Sequence, residues 1–198
     1  MLIHDLQFIH ITKTGGTSIE EYGCKHKIKW GCRNRDYFNK FSHIHLNQTV
    51  NKYHIPPSFF TENPYNKKTF ACVRNPYTRL ISEYYCPWSG SKYKHIKDKD
   101  EFNEWIQKLM LSVDVVSGLP QHLYMPINYI LYFENLQNDF TKLISNIDNS
   151  ICTTLPHSNK SKISNDIKYT VDDLYDDTID LINVTYDKDF STFNYKKI

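Results

Sequence analysis

The chain has little glycine and no long apolar run. Only 6 of its 198 residues are glycine and 8 are proline, so no stretch has the composition of a flexible linker. No segment approaches the roughly 18 consecutive apolar residues that a membrane-spanning helix requires. Residues 1–5 also lack the basic and apolar regions of a secretory leader. We therefore expect one domain over residues 1–198, located in the cytoplasm and without a membrane partner.

The chain also lacks a strong net charge and a metal-binding cysteine pattern. Its 24 lysines and arginines nearly balance 22 aspartates and glutamates, and a formal charge of +2 indicates no nucleic-acid partner. The five cysteines form no C-x-x-C pair, so neither a zinc site nor a thioredoxin-like redox pair is indicated. They are Cys24, Cys32, Cys72, Cys86 and Cys152. An odd number leaves at least one free thiol, which fits a reducing compartment.

Two of the few glycines are adjacent, in the run F-I-H-I-T-K-T-G-G-T-S-I-E-E at residues 8–21. A strand predicted over 7–11 leads into Gly15 and Gly16, and a helix predicted over 17–22 follows. Glycines let the backbone N–H groups turn inward, and a helix N-terminus favours a bound phosphate or sulfate. Lys13 adds a full positive charge beside this turn. Hydroxyl donors follow on Thr14, Thr17 and Ser18.

The order of residues in this anion-binding loop excludes a Walker A motif. In that motif the lysine follows the glycines and a magnesium-binding hydroxyl comes next, whereas Lys13 precedes Gly15 and Gly16. The order strand, K-T-G-G-T-S, helix resembles the 5′-phosphosulfate loop of sulfotransferases that use 3′-phosphoadenosine 5′-phosphosulfate (PAPS). On these residues alone, a plain strand-turn-helix connection remains an alternative.

A second motif follows another predicted strand, Lys68–Val73, in the run V-R-N-P-Y-T-R-L-I-S-E-Y-Y at residues 73–85. Pro76 is suited to open a helix predicted over 77–85. Arg74 stands at the strand end, where its guanidinium can bind a phosphate with two N–H groups, and Ser82 lies about two helical turns further on. This resembles the 3′-phosphate motif of the same sulfotransferases. A strand-end ion pair and a neutral helix serine are the alternative.

His43 and His45 lie between these two motifs, in S-H-I-H-L. The pair resembles the H-x-H of heparan-type uronyl 2-O-sulfotransferases, in which one histidine is the general base. The resemblance implies that His45 is the base and His43 a substrate-positioning partner or alternate. A histidine with a pKa near ~6.5 can accept the proton of an attacking hydroxyl at neutral pH. A purely structural role is open for both.

Four downstream segments resemble successive parts of the Golgi-type carbohydrate sulfotransferase superfamily. They are P-Q-H-L-Y at 120–124, F-E-N-L-Q-N-D-F at 133–140, L-P-H-S-N-K-S-K at 155–162 and Y-D-K-D-F-S-T-F-N-Y at 186–195. The resemblance implies that Lys160 and Lys162 help to close a loop over the cofactor. Glu134 and Asn135 could be taken for metal ligands, but these enzymes use no metal, so we expect a scaffold and no metal.

Strands that alternate with helices predict an α/β fold whose ligands bind at the carboxyl ends of parallel strands. The predicted strands are 7–11, Lys68–Val73 and 129–133. The predicted helices are 17–22, one beginning near Leu46, 77–85, 101–111, 136–147 and a long one within 171–193. The resemblance specifies a P-loop NTPase-like three-layer sandwich with a central parallel sheet.

The resemblance implies that a sulfuryl group moves from PAPS to an acceptor hydroxyl by in-line displacement, with adenosine 3′,5′-bisphosphate (PAP) as product. The implied catalytic residues are His45, Lys13 and His43. The implied cofactor-binding residues are Lys13, Thr14, Gly15, Gly16, Thr17, Ser18, Arg74, Ser82, Lys160 and Lys162. A carbohydrate is the expected acceptor, with a tyrosyl or small-molecule hydroxyl as alternatives, and the sequence does not indicate the oligomeric state.

Two other functions remain to be separated from this one. A non-catalytic module that binds a nucleotide or sulfated glycan would keep the anion-binding loop without turnover. A P-loop kinase would need a lysine after the glycines and a magnesium-binding aspartate after an apolar strand, and the chain has neither. Metazoan relatives carry a membrane anchor and stem, so the chain is expected to be a minimal cytosolic, microbial or viral enzyme, or a trimmed piece of an anchored one.

Overall fold

A computed structural model describes residues 3–44, 46, 50–86, 98–112, 116–156 and 169–198. The chain divides into two compact units. The first takes its residues from positions 1–73 and 123–159, and the second from positions 74–122 and 160–198. The predicted single domain stays a prediction.

In the described part of the chain, α-helices follow each of the three strands. The strands are β1 (Leu6–Ile9), β2 (Lys68–Val73) and β3 (Tyr129–Tyr132). The helices are α1 (Gly16–Lys25), α2 (Arg35–Phe38), α3 (Pro76–Tyr84), α4 (Lys99–Leu111), α5 (Leu136–Ser145), α6 (Asp176–Thr185) and α7 (Asp187–Thr192). None of the helices in the described part of the chain is both long enough and apolar enough to cross a bilayer.

The first unit contains a parallel sheet with strand order β1-β2-β3. Phe8 lies opposite Phe70, and Cys72 lies opposite Leu131. All residues of the central strand β2 except Lys68 are buried, as expected for a parallel strand covered on both faces. The predicted α/β class with a parallel sheet is confirmed.

Helices α1 and α5 cover one face of this sheet. Alternate strand positions share a face, and those on this face pack against apolar residues of the two helices. The strand residues are Leu6, Phe8, Phe70, Cys72 and Leu131, and the helix residues are Ile19, Tyr22, Phe140, Leu143 and Ile144. This packing holds in place the loops that follow β1 and β3, because each loop leads from a strand directly into one of the two helices.

The second unit is helical and rich in aromatic residues. Helices α3, α4, α6 and α7 share a core in which Phe102 meets Tyr84 edge to face at 4.9 Å and stacks on Tyr169 at 4.6 Å. Pro76 opens α3, and the Asn75 side chain accepts the Tyr77 N–H at 3.0 Å as its N-terminal cap. The predicted start of this helix is therefore correct to within a residue.

The long helix predicted over 171–193 is wrong. The segment consists of a 3₁₀ turn at Val171–Asp173, then α6 and α7. Tyr186 separates the two helices because its backbone leaves the helical region, with φ −108° and ψ 22°, and its buried hydroxyl donates to the Gly118 carbonyl at 2.7 Å. The short helix predicted to begin near Leu46 stays a prediction, because residues 45 and 47–49 lie outside the described residues, and a 3₁₀ turn is present at Lys52–His54.

Candidate active site

The loop after β1 has two residues in the left-handed region of backbone space. Lys13 has φ 64° and Gly15 has φ 86°, and Gly16 begins α1. The Thr14 hydroxyl donates to the Ile11 carbonyl at 2.8 Å, so its single proton is used inside the loop. Left-handed non-glycine residues cluster at functional sites, where the surrounding structure offsets their strain. Lys13 thus stands at a constrained position beside a helix N-terminus.

Each of the two glycines is required for a separate steric reason. A Cβ atom on Gly15 would lie 2.8 Å from Leu136 and 3.1 Å from Phe133, in addition to the strain of its positive φ. A Cβ atom on Gly16 would lie 2.3 Å from Nε2 of His10. The F-E-N-L segment after β3 therefore packs directly on the anion-binding loop. This contact gives the 133–140 motif a structural role.

A buried ion-pairing cluster adjoins this loop. Nδ1 of His10 lies 2.5 Å from Glu20, which is only 3% exposed. Because an ionised carboxylate can only accept, His10 donates this hydrogen bond. The carboxylate also accepts the backbone N–H of Cys32 at 2.9 Å and its thiol at 2.7 Å. Burial alone would raise the pKa of Glu20, but the hydrogen bonds and charge of His10 and the bonds from Cys32 together lower it.

His54 completes the support of the strand end. Its Nδ1 donates to the His10 carbonyl at 3.0 Å, and the two rings meet edge to face at 4.4 Å. Desolvation and the neighbouring His10 lower the pKa of His54 to about 3, so its ring is neutral at neutral pH. Sequence patterns assign no role to His10 and His54, because residues 44 positions apart share no spacing signal. The structure brings them together at the end of β1, where His10 lies against Gly16 of the anion-binding loop.

The Glu20→Gln variant is expected to be about 1–3 kcal/mol less stable at neutral pH, because one amide cannot accept from every donor that the carboxylate binds. The pKa of Glu20 is held below its ordinary value of 4.5, so its ionised form stabilises the fold above that pH. This contribution disappears as the pH falls through the lowered pKa. Chemical denaturation of both proteins across the acid range measures the difference.

Glu104→Gln is the control for this variant, because Glu104 pairs with Lys108 at 2.7 Å on an exposed helix surface. Removing an exposed pair is expected to change stability little at any pH. If Glu20→Gln lowers the free energy of unfolding by the same amount at about pH 7 and about pH 3, the role of the ionised carboxylate is contradicted.

His43 is a buried histidine whose ring nitrogens have no hydrogen-bond partner among the described residues. It is 5% exposed and forms an isolated antiparallel bridge with Phe60. Desolvation, followed by the charge of Lys52, lowers the pKa of His43, which favours the neutral imidazole. Buried polar side chains without partners are rare and call for an explanation. A neutral imidazole is the form that accepts a proton.

Arg74 directly follows β2 and begins the second unit. Its Nε donates to Oγ1 of Thr78 at 3.1 Å, and the side chain is partly exposed. Ser82 is a partly exposed residue of α3.

Arg79 of the same helix is buried and donates to the carbonyls of Ser117 and Leu119 at 3.1 and 2.9 Å. The two arginines therefore differ, since Arg79 bonds a buried loop whereas Arg74 is accessible.

The predicted site residues fall into three groups by their place in the structure. Residues 13–18 and His43 lie in the first unit, and Arg74 and Ser82 lie in the second. His45, Lys160 and Lys162 lie outside the described residues. Within the described ranges, no group of three or more histidine, cysteine or acidic side chains is placed to hold a metal ion. The Asn135 amide donates to Asp139 at 2.8 Å, which fits a role in the scaffold.

The chain is similar to one protein family over the segments that carry these residues. Residues 3–196 match the model of the sulfotransferase family. No curated protein and no solved structure matches the chain. The match extends from β1 and the anion-binding loop through the Arg74 motif to the tail after α7. With a family model covering nearly its whole length, the chain belongs to the sulfotransferase family.

Proposed function

We propose that the protein transfers a sulfuryl group from PAPS to an acceptor hydroxyl, and that its sheet and loops form a P-loop-like fold. One observation carries this proposal. In a chain that belongs to the sulfotransferase family, the loop immediately before α1 has positive φ at Lys13 and Gly15. A lysine in a constrained turn beside a helix N-terminus suits an anionic group. PAPS supplies the activated sulfuryl group when it is bound.

The chain's charged and hydroxyl side chains suit the two anionic ends of this cofactor. Lys13 and the backbone N–H groups of the loop would bind the 5′-phosphosulfate. Arg74 and Ser82 would bind the 3′-phosphate, which an arginine can hold with two parallel N–H groups. Lys160 and Lys162 would add positive charge where a loop closes over the nucleotide. Each of these residues lies in a sequence segment that resembles a sulfotransferase motif, and the segments follow one another in the order found in that family.

Two kinds of chemistry are assigned to the protein's own residues. Lys13 would offset the negative charge that develops on the leaving oxygen, which stabilises the transition state of the transfer. His45 would accept the proton of the acceptor hydroxyl, with His43 as positioning partner or alternate base. We further propose that the acceptor is a carbohydrate and that the enzyme acts in the cytoplasm.

The Arg74→Ala variant is expected to bind PAP roughly 10- to 150-fold more weakly, since a charge-assisted hydrogen bond contributes about 1.5–3 kcal/mol. Its affinity for adenosine 5′-phosphate, which lacks the 3′-phosphate, should remain close to that of the wild type. Titration calorimetry with the two nucleotides makes the comparison. Equal losses for both nucleotides would show that Arg74 has a structural role instead.

A further inference from the structure

The backbone of Arg74 is held at both of its polar groups by one side chain. Oε1 of Gln121 accepts the Arg74 N–H at 2.9 Å, and Nε2 of Gln121 donates to the Arg74 carbonyl at 2.7 Å. Gln121 is fully buried, and this pairing fixes the orientation of its amide. The residue that follows β2 therefore has its main chain fixed by a side chain from the 120–124 segment.

Asp189 in turn holds Gln121. This carboxylate is 0% exposed, and its Oδ2 accepts the backbone N–H of Gln121 at 2.7 Å. Its Oδ1 accepts the backbone N–H and the Nδ1–H of His122, both at 2.8 Å. The tail helix α7 is thus joined through a buried carboxylate to the segment that binds Arg74. Three motifs that are widely separated in sequence form one hydrogen-bonded chain.

Thr78 binds the side chain of Arg74. Its hydroxyl oxygen accepts from Nε of Arg74 at 3.1 Å, and the same hydroxyl lies 3.2 Å from the Asn75 carbonyl, to which it donates. The hydroxyl therefore has its own direction fixed while it accepts from the guanidinium. Both the main chain and the side chain of Arg74 are constrained by neighbours in the second unit.

We propose that Gln121, Asp189 and Thr78 are positioning residues that hold Arg74 ready for the 3′-phosphate of the nucleotide. The inference rests on the proposed function, because it concerns the recognition that we assign to Arg74. Binding of an anion by a long, free side chain costs the entropy of ordering that side chain. Bonds that restrict Arg74 before the nucleotide arrives remove part of this cost. Loss of these bonds should therefore weaken recognition of the 3′-phosphate in particular.

The measured quantity is the ratio of the dissociation constants of adenosine 5′-phosphate and PAP, obtained by calorimetry. Thr78→Val keeps the shape of the side chain and removes the acceptor for Arg74, and we expect the ratio to fall about 2- to 10-fold. Thr78→Ser keeps the hydroxyl, and we expect this variant to have the wild-type ratio. Gln121→Met should lower the ratio in the same way, because it leaves both polar groups of the Arg74 backbone without the amide.

Asn103→Leu is the matched control for Gln121→Met. Asn103 is also a buried amide of the second unit, which donates to the carbonyls of Lys99 and Asp173 and accepts the N–H of Tyr175. None of these bonds involves Arg74. This variant should lose stability without any change in the ratio. In an Arg74→Ala background, Thr78→Val should have no further effect on the ratio.

The outcomes separate the inference from the function on which it rests. A wild-type protein that binds both nucleotides equally would overturn the proposed function. A wild-type preference for PAP that persists unchanged in Thr78→Val and Gln121→Met would overturn the positioning role alone. Should Gln121→Met fail to fold, the comparison of Thr78→Val with Thr78→Ser decides, since the partly exposed Thr78 can lose its hydroxyl without leaving a cavity.

Discussion

His45→Ala is expected to lower the turnover of sulfuryl transfer by about 10²–10⁴-fold, because general-base catalysis contributes a factor of this size. Its affinity for PAP should stay close to the wild-type value, since a base meets the acceptor and not the nucleotide. In the wild type, turnover should rise with pH as the base loses its proton, and this acid limb should vanish in the variant. Steady-state rates across the pH range, with calorimetry for PAP, measure both effects.

His43→Ala is the comparison that assigns the base. If His43→Ala removes the acid limb and His45→Ala does not, the base is His43. In that case the limb should lie below pH 6.5, the ordinary value, because desolvation and the charge of Lys52 lower the pKa of His43. If neither variant removes the limb, the H-x-H assignment is wrong. Glu20 would be an unsuitable replacement, since it is buried and bonded to His10 and Cys32.

Lys13→Ala is expected to lower turnover by about 10²–10³-fold and to weaken PAP binding far less, because a charge that meets developing negative charge acts mainly in the transition state. The backbone strain at φ 64° is similar for lysine and alanine, so the variant tests the charge itself. Single-turnover rates and PAP affinity separate the two effects. Unchanged turnover would contradict the proposed mechanism.

Lys27→Ala provides a matched control for that variant. Lys27 is exposed and has φ 60°, so the same substitution is made at the same backbone conformation. We expect wild-type turnover from this protein. A similar loss in both variants would indicate that the left-handed backbone, and not the Lys13 charge, limits activity.

The parallel sheet could be predicted because each of its strands is a short apolar run next to a helix. The predicted and observed bounds of strand β2 are the same, since its apolar run ends at Arg74 and Pro76 fixes the helix start. The anion-binding loop could also be located, because glycine pairs after a strand have a distinct local pattern. Local patterns were therefore sufficient for these parts of the structure.

The supporting contacts of the site could not be predicted, because they join residues that are far apart in sequence. Gln121 and Asp189 are 68 positions apart, and nothing in their local pattern pairs them. The break at Tyr186 was missed for the same reason, since apolar spacing continues through it while its hydroxyl bonds Gly118. The sequence pattern predicts that the Thr14 hydroxyl is a donor to a bound anion, whereas in the structure it donates to the Ile11 carbonyl at 2.8 Å.

Transfer of labelled sulfur from PAPS is the most direct test of the proposed enzyme. The wild-type protein would be incubated with sulfur-labelled PAPS and separate panels of glycan, tyrosyl-peptide and phenolic acceptors, with Lys27→Ala and Lys13→Ala assayed beside it. We expect labelled product from at least one panel, with carbohydrate the expected class. The rates should be equal for wild type and Lys27→Ala and greatly reduced for Lys13→Ala. PAP binding without transfer to any acceptor would contradict this expectation and identify a nucleotide-binding module instead.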